Sequence, residues 1–286
     1  MNPLSHFAPS RSRSIHQRAT PLRMAGWLAV AGLALSSSLA AAQSAESPPR
    51  AAPVAGGIIG LGVASLPEYP GSADTKIRAV PILAYHWANG VFVGGENDTV
   101  VGFQATGPSQ LAYGVALGVD EGRKEYRAGP LAGMGKVATR GTLVSFAKFP
   151  VTDQLSLDSS VRLGAGNDND GALLKVGGAY RIGLGQSAQL GFNLGATFAN
   201  AAYMKSYFGV SAAQAATSSY RAYAPSGGQV GVDVGMRLFW QINRDYSLLA
   251  GVSSTRLSNE VQDSPLVRKS SMQKVFVGFA RSLGAL

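Results

Sequence analysis

Cysteine is absent from all 286 residues. That excludes disulfide scaffolds, cysteine-ligated zinc, iron–sulfur clusters and thiol catalysis. Charge is scarce, at 14% Asp, Glu, Lys and Arg, so a charged disordered polymer is excluded. Long apolar runs are scarce too. Mean hydropathy is only +0.09 although 46% of residues are hydrophobic, which excludes a bundle of transmembrane helices. What fills the composition is small residues, with 36 glycines. The formal net charge of +9 points to anionic partners. The positives lie singly rather than in runs, which argues against a nucleic-acid footprint.

Residues 1–42 carry Arg11, Arg13, Arg18, Arg23 and no acid. An apolar stretch from Met24 to Leu35 follows, then Ala40-Ala41-Ala42, the small residues that a signal peptidase needs. The stretch is too short to span a bilayer as a helix. Residues 1–42 are therefore expected to be a cleaved signal peptide, and residues 43–55 a periplasmic linker. Without the leader's four arginines the 25 basic residues fall to 21 against 16 acidic, and His86 is the sole histidine left.

From residue 56 onward no segment holds an apolar pattern at helical period. Segments of about ten residues alternate in hydrophobicity between turn residues. Leu155, Leu157, Val161 and Leu163 share one face, and Ser156, Asp158, Ser160 and Arg162 the other. Val232, Val234, Met236 and Leu238 alternate with Asp233, Gly235 and Arg237, and Lys175 and Arg181 lie opposite Leu174, Val176, Tyr180 and Ile182. Strand lengths near those needed to cross a bilayer, a polar face of small residues and aromatics at segment ends fit a barrel facing lipid rather than a soluble sandwich. The expected fold is all-β, a transmembrane antiparallel β-barrel over residues 56–286. Its twelve strands fall near 56–65, 76–87, 90–96, 99–106, 111–119, 140–149, 155–165, 172–182, 188–199, 229–240, 246–257 and 274–283. An even count puts both ends of the barrel in the periplasm and every long connection outside.

No chemical motif survives its spacing test. Gly135-Lys136 lacks the rest of a phosphate-binding loop, and the Gly-x-Gly pairs lack a third glycine. Asn167 to Gly171 lacks the flanking acids of a calcium loop and reads as a polar hairpin turn. His86 shares a strand face with Arg78 beside a periplasmic turn, so it is expected to face the lumen as a structural residue. No catalytic residue, cofactor site or metal site is expected. Asp158, Arg162, Lys175, Arg181, Asp233 and Arg237 are expected to face the lumen, as a selectivity constriction or as an ion-pair network. The basic loop residues Arg123, Lys124, Arg127, Arg268 and Lys269 suit either lipopolysaccharide phosphates or plain solubility.

Three strings go beyond barrel patterning: Tyr69-Pro70-Gly71-Ser72, Tyr207-Phe208-Gly209-Val210-Ser211 and Asp263-Ser264-Pro265. In this order and spacing the chain resembles the MipA/OmpV family of outer-membrane proteins over about residues 56–283. The resemblance implies an outer-membrane barrel without catalytic residues. It also implies a scaffold joining a murein hydrolase (the lytic transglycosylase MltA of the family name) to a peptidoglycan synthase, while other members are described as adhesins or as affecting antibiotic permeability. The chain departs from the family in its end: it runs past Phe279 to Leu286 instead of closing on an aromatic. The topology places all three strings on the outer side, so they serve either as plugs folded into the lumen or in an external contact. The expected function is a non-enzymatic scaffold in the cell outer membrane, in contact with lipid and lipopolysaccharide. A narrow solute or antibiotic-permeable channel and a surface adhesin are the alternatives.

Overall fold

The computed structural model describes residues 55–94, 99–125 and 129–284. The expected signal peptide, the linker up to residue 54 and Arg127 lie outside the described residues. Twelve strands run in chain order: β1 Gly56–Pro67, β2 Thr75–His86, β3 Val91–Val93, β4 Thr99–Thr106, β5 Ala112–Asp120, β6 Arg140–Pro150, β7 Leu155–Ala165, β8 Gly171–Leu184, β9 Ala188–Ala199, β10 Gly228–Gln241, β11 Tyr246–Leu257 and β12 Ser271–Leu283. Each pairs antiparallel with its neighbours in sequence, and β1 pairs β12 from Gly57↔Leu283 to Ser65↔Val275, closing the barrel. The expected twelve-stranded antiparallel barrel is the fold observed. Its strand ends agree with the alternation to within about three residues, apart from the shorter β3.

Closure gives every strand a paired neighbour on both sides, with the shortest ladder between β2 and β3 at Tyr85↔Val93 and His86↔Phe92; paired backbone is the condition for strands in hydrocarbon. The outer surface meets the other condition. Leu61 is 70% exposed and Ile77 72%, and Val63, Val115, Leu157, Leu194, Val234 and Val277 are also exposed on strands around the ring. Such a continuous apolar belt has no place in water; against acyl chains it is the stabilising face, where a Lys or Arg at the midplane costs about 2–4 kcal/mol. Tyr113, Phe149, Trp240, Tyr246 and Phe279 are exposed toward one rim, and Tyr246 stacks on Phe279 at 5.3 Å. These rings make the interfacial girdle.

The connections sort by end. At one rim the hairpins are short; at the other lie the connections after β1, β5, β9 and β11. These carry a 3-10 turn at Gly129–Leu131 and three short helices, α1 Ala201–Phe208, α2 Ala212–Ala216 and α3 Asn259–Gln262. Short turns are periplasmic and long loops external in such barrels. Residues 166–170 form the turn expected between β7 and β8, with Asn169 in the left-handed region at φ 60°.

Candidate functional site: a capped lumen

The outer loops fold onto each other rather than outward. Asn200 caps α1 by accepting from the Tyr203 amide at 3.0 Å, and its own amide donates to the Asp170 carbonyl at 2.6 Å. Met204, Tyr207 and Phe208 on this helix are buried, in one cluster with Val137 of the β5–β6 loop, Val230, Leu257 and Val261. A second cluster joins Tyr69, Leu131, Met134, Val210 and Leu266. Its members come from the loops after β1, β5, β9 and β11, which leave the ring at widely separated places. Contact among them requires the chain to run across the barrel mouth, and the result is a packed cap.

The three strings that carry the family resemblance meet inside this cap. Ser264 Oγ donates to the Phe208 carbonyl at 2.6 Å. The Gly71 carbonyl accepts from the amides of Arg268 and Lys269 at 2.8 and 3.1 Å. Gly71 has φ 87°, and a Cβ there would lie 2.7 Å from Val267 Cγ2. A Cβ at Gly209 would lie 2.5 Å from the Lys205 carbonyl oxygen, so α1 can end only on a residue without one. Val210 exchanges both backbone hydrogen bonds with Tyr223 at 2.8 and 2.9 Å. Ser211 caps α2 reciprocally with Gln214, whose amide nitrogen donates to the Met134 carbonyl at 2.6 Å. The Ser72 hydroxyl accepts from the Asp74 amide at 3.1 Å. Pro70 borders the lumen under the cap. Asp263 is exposed and holds Arg221 Nη2 on its carbonyl at 2.7 Å, while Pro265 is partly buried beside it.

Two charged groups anchor the cap, and neither stands out in the sequence as such. Asp120, the last residue of β5, accepts from the Tyr207 hydroxyl, the Gly166 amide at 3.0 Å and the Gly122 amide at 3.2 Å. Burial, and then the hydrogen bond to Asp120, raise the Tyr207 phenol far above its ordinary value. Arg123 corrects an expectation. Grouped by sequence with the basic loop residues that suit lipopolysaccharide or plain solubility, it is 4% exposed and its Nη1 donates to the Tyr207 carbonyl at 2.9 Å. Burial lowers its guanidinium below the usual arginine value. Its charge serves the cap, whereas Arg268 and Lys269 are exposed.

Beneath the cap lies a cavity of about 1070 Å³, bordered by Tyr203 and Phe208 above and by Arg181, Gln189 and Phe239 near the short-turn rim. Asp158, Arg162, Lys175, Arg181, Asp233 and Arg237 all border it, so one space brings together the six charges that alternation places inward. Lys175 Nζ lies 3.8 Å from Asp233 Oδ1, and Asn193 Nδ2 donates to Asp233 Oδ2 at 3.2 Å. Arg162 Nη1 reaches the Val119 carbonyl at 3.4 Å. Lys148 and Lys274 also line the cavity, so six cations face two carboxylates there. Alternation from Val144 and Phe146 gives the inward facing of Lys148. Val80, Val144 and Phe276 supply apolar lining among these charges, Val144 in register with Arg162 and Phe276 two residues from Lys274. His86 stacks on Phe92 at 5.3 Å at the short-turn end of β2. No cluster of metal-ligating side chains occurs among the described residues.

A family model described as MltA-interacting protein MipA matches residues 59–283. Comparison with curated proteins returned no match. Among solved structures, the chain is similar in fold to the KdgM porin, at 11% identity with a TM-score of 0.42, over 78% of this chain and 98% of that one. It is likewise similar to the NanC porin (11%, 0.41, 79% and 98%). A bacterial polysaccharide outer membrane secretin aligns at 8% identity and 0.44, over 80% and 98%.

Proposed function

We propose, from the premise that this chain belongs to the MltA-interacting protein MipA family, that it acts as a non-enzymatic scaffold for murein-remodelling enzymes. The barrel is an outer-membrane protein; the scaffold is our reading of what it does there. Its partners on this reading are a lytic transglycosylase and a peptidoglycan synthase, both periplasmic. Residues 1–42 act as the export signal and residues 43–55 as a linker.

The observation that carries the reading is the use made of the outer strings. Tyr69, Tyr207, Phe208, Val210 and Ser264 are buried in contacts with one another's loops, which leaves little of them for an external partner. The accessible backbone on the murein side is the set of short turns, where Val151 and Ile242 are each 46% exposed. Apolar side chains at polar turns are what a protein partner covers. The cap argues against the solute channel, since a solute would have to cross two packed clusters. Arg268 and Lys269 remain available for lipopolysaccharide phosphates.

The test is a crosslinked pull-down of the mature barrel from envelopes, read by mass spectrometry against an unrelated barrel. Enrichment of both enzyme classes, lost in a Val151→Asp/Ile242→Asp variant that still folds, supports the scaffold. Equal recovery with the unrelated barrel overturns it.

A further inference from the structure

The lumen charges are arranged unevenly. Both carboxylates lie among cations: Asp233 faces Lys175 at 3.8 Å, and Asp158 is in register with Lys148 on the neighbouring strand. Arg181 and Arg237 lie nearer the short-turn rim and are in register with one residue between them, Gly191 of β9. Two strand spacings separate their backbones, about 10 Å. Between them Gly191 presents no side chain, and a Cβ built there would meet nothing closer than 3.9 Å. On its other side Arg237 is in register with Gly251. The two arginines therefore border an open notch rather than a packed wall.

Solvent reaches this notch from one side. Arg181 and Arg237 are exposed although both border the cavity, whereas Phe208 at the cap end is 1% exposed. Among the described residues the lumen is a vestibule open at the short-turn rim and closed at the cap. Phe276 closes the same register row, one strand beyond Gly251 from Arg237, while Val80 on β2 and Val144 on β6 border the cavity elsewhere. A cationic notch flanked by the Phe276 ring in a cavity of about 1070 Å³ suits an organic anion with two or more carboxylates and a compact apolar body. Guanidinium forks bind carboxylates bidentately, and a partly enclosed site screens them less than bulk solvent does.

We infer that the barrel lumen is a periplasm-facing binding site for small organic polyanions, with Arg181 and Arg237 gripping carboxylates over Gly191 and Phe276 contacting the apolar body. This site is independent of the scaffold reading, because it lies inside the barrel and not on the turns.

The probe is benzene-1,3,5-tricarboxylate, with the uncharged 1,3,5-tris(hydroxymethyl)benzene as control. Each is titrated calorimetrically into the whole mature barrel in zwitterionic micelles at low salt. The expected result is saturable one-to-one binding of the tricarboxylate, weakened by added salt and none for the control. Arg181→Gln/Arg237→Gln should weaken it at least tenfold while heat-modifiable electrophoretic mobility shows a folded barrel. If the double variant does not fold, Arg181→Gln alone, at an exposed position, carries the comparison. Absence of binding, or equal binding by wild type and folded variant, overturns the site.

Discussion

The Tyr207 hydroxyl donates to Asp120 Oδ1 at 2.5 Å across 87 residues of chain. Tyr207 belongs to α1 in the cap and Asp120 ends β5 in the barrel wall, so this bond ties a loop fold to a membrane scaffold. The same carboxylate holds the Gly166 and Gly122 amides, which makes it the meeting point of three connections.

Tyr207→Phe keeps the ring in its buried cluster and removes only the donor. A hydrogen bond to a charged acceptor is worth about 1.5–3 kcal/mol, and Asp120 retains its two backbone donors. The loss should therefore appear as local opening of the cap. Hydrogen exchange of residues 129–139 and 201–216 is expected to quicken about tenfold or more, with the strand amides unchanged. Unchanged exchange in the cap would show that the bond contributes nothing.

The same phenol makes the cap sensitive to alkali. Its folded value lies above the ordinary value of 10.0 because burial and Asp120 favour the neutral form, and burial raises Tyr69 as well. Their contribution is complete below pH 10 and declines as pH rises beyond it, since the opened cap ionises first. Each such group costs about 1.4 kcal/mol per pH unit in that range. Tyrosine ionisation followed by absorbance should lag until the cap opens, and Tyr207→Phe should make the pH dependence of cap opening shallower. Glu260 acts at the other limb. Ser226 donates to it from side chain and backbone and lowers its pKa below the usual 4.5, so its contribution holds above that value and is lost as pH falls through the lowered one.

The barrel was legible because period-two alternation survives in almost every strand: Leu155, Leu157, Val161 and Leu163 must all meet the same medium. Alternation also gives the inward facing of Asp158, Arg162, Lys175, Arg181, Asp233 and Arg237. It does not say which residues meet across strands, and the row that joins Arg181, Arg237 and Phe276 through Gly191 and Gly251 emerges only from the register. The cap was illegible for a different reason. Its contacts join segments far apart in the chain, from Asn200 and Asp170, 30 residues apart, to Gly71 and Met272, 201 apart, whose sulfur accepts from the Gly71 amide at 3.3 Å. Loop composition carries no record of such partners, so Arg123 looks like a surface cation. One local signal was present: Ser211 with Gln214 three residues on is a capping box, and it marks the start of α2.

Gly71→Ala probes a position in the cap strings that is constrained in two ways. The substitution combines a left-handed backbone at φ 87° with a Cβ 2.7 Å from Val267 Cγ2 and 3.1 Å from Val267 Cα. Retreat of the loop would break the hydrogen bonds that its carbonyl accepts from Arg268 and Lys269. Strain of this kind costs about 1–3 kcal/mol. Gly135→Ala is the matched control, with φ 66° and nothing within 4 Å of the added carbon. Proteolysis of the outer loops in the refolded barrel should quicken more in Gly71→Ala than in Gly135→Ala. The reverse order would show that loop contact with Val267 is not what constrains the turn.

Closure of the outer mouth can be read in living cells because the chain has no cysteine of its own. Ser160 borders the cavity, and Ser160→Cys replaces a hydroxyl by a thiol of similar size. A maleimide carried on a polymer too large for general porins reaches that thiol only through this barrel's own mouth or from the periplasm. With the cap packed, intact cells should show no labelling, and cells with a permeabilised outer membrane should label readily. Adding Tyr207→Ala removes both the ring from its cluster and the bond to Asp120, so labelling of intact cells should then rise. Full labelling of Ser160→Cys in intact cells would mean that the outer mouth is open, and it would restore the solute channel as the better account of the lumen.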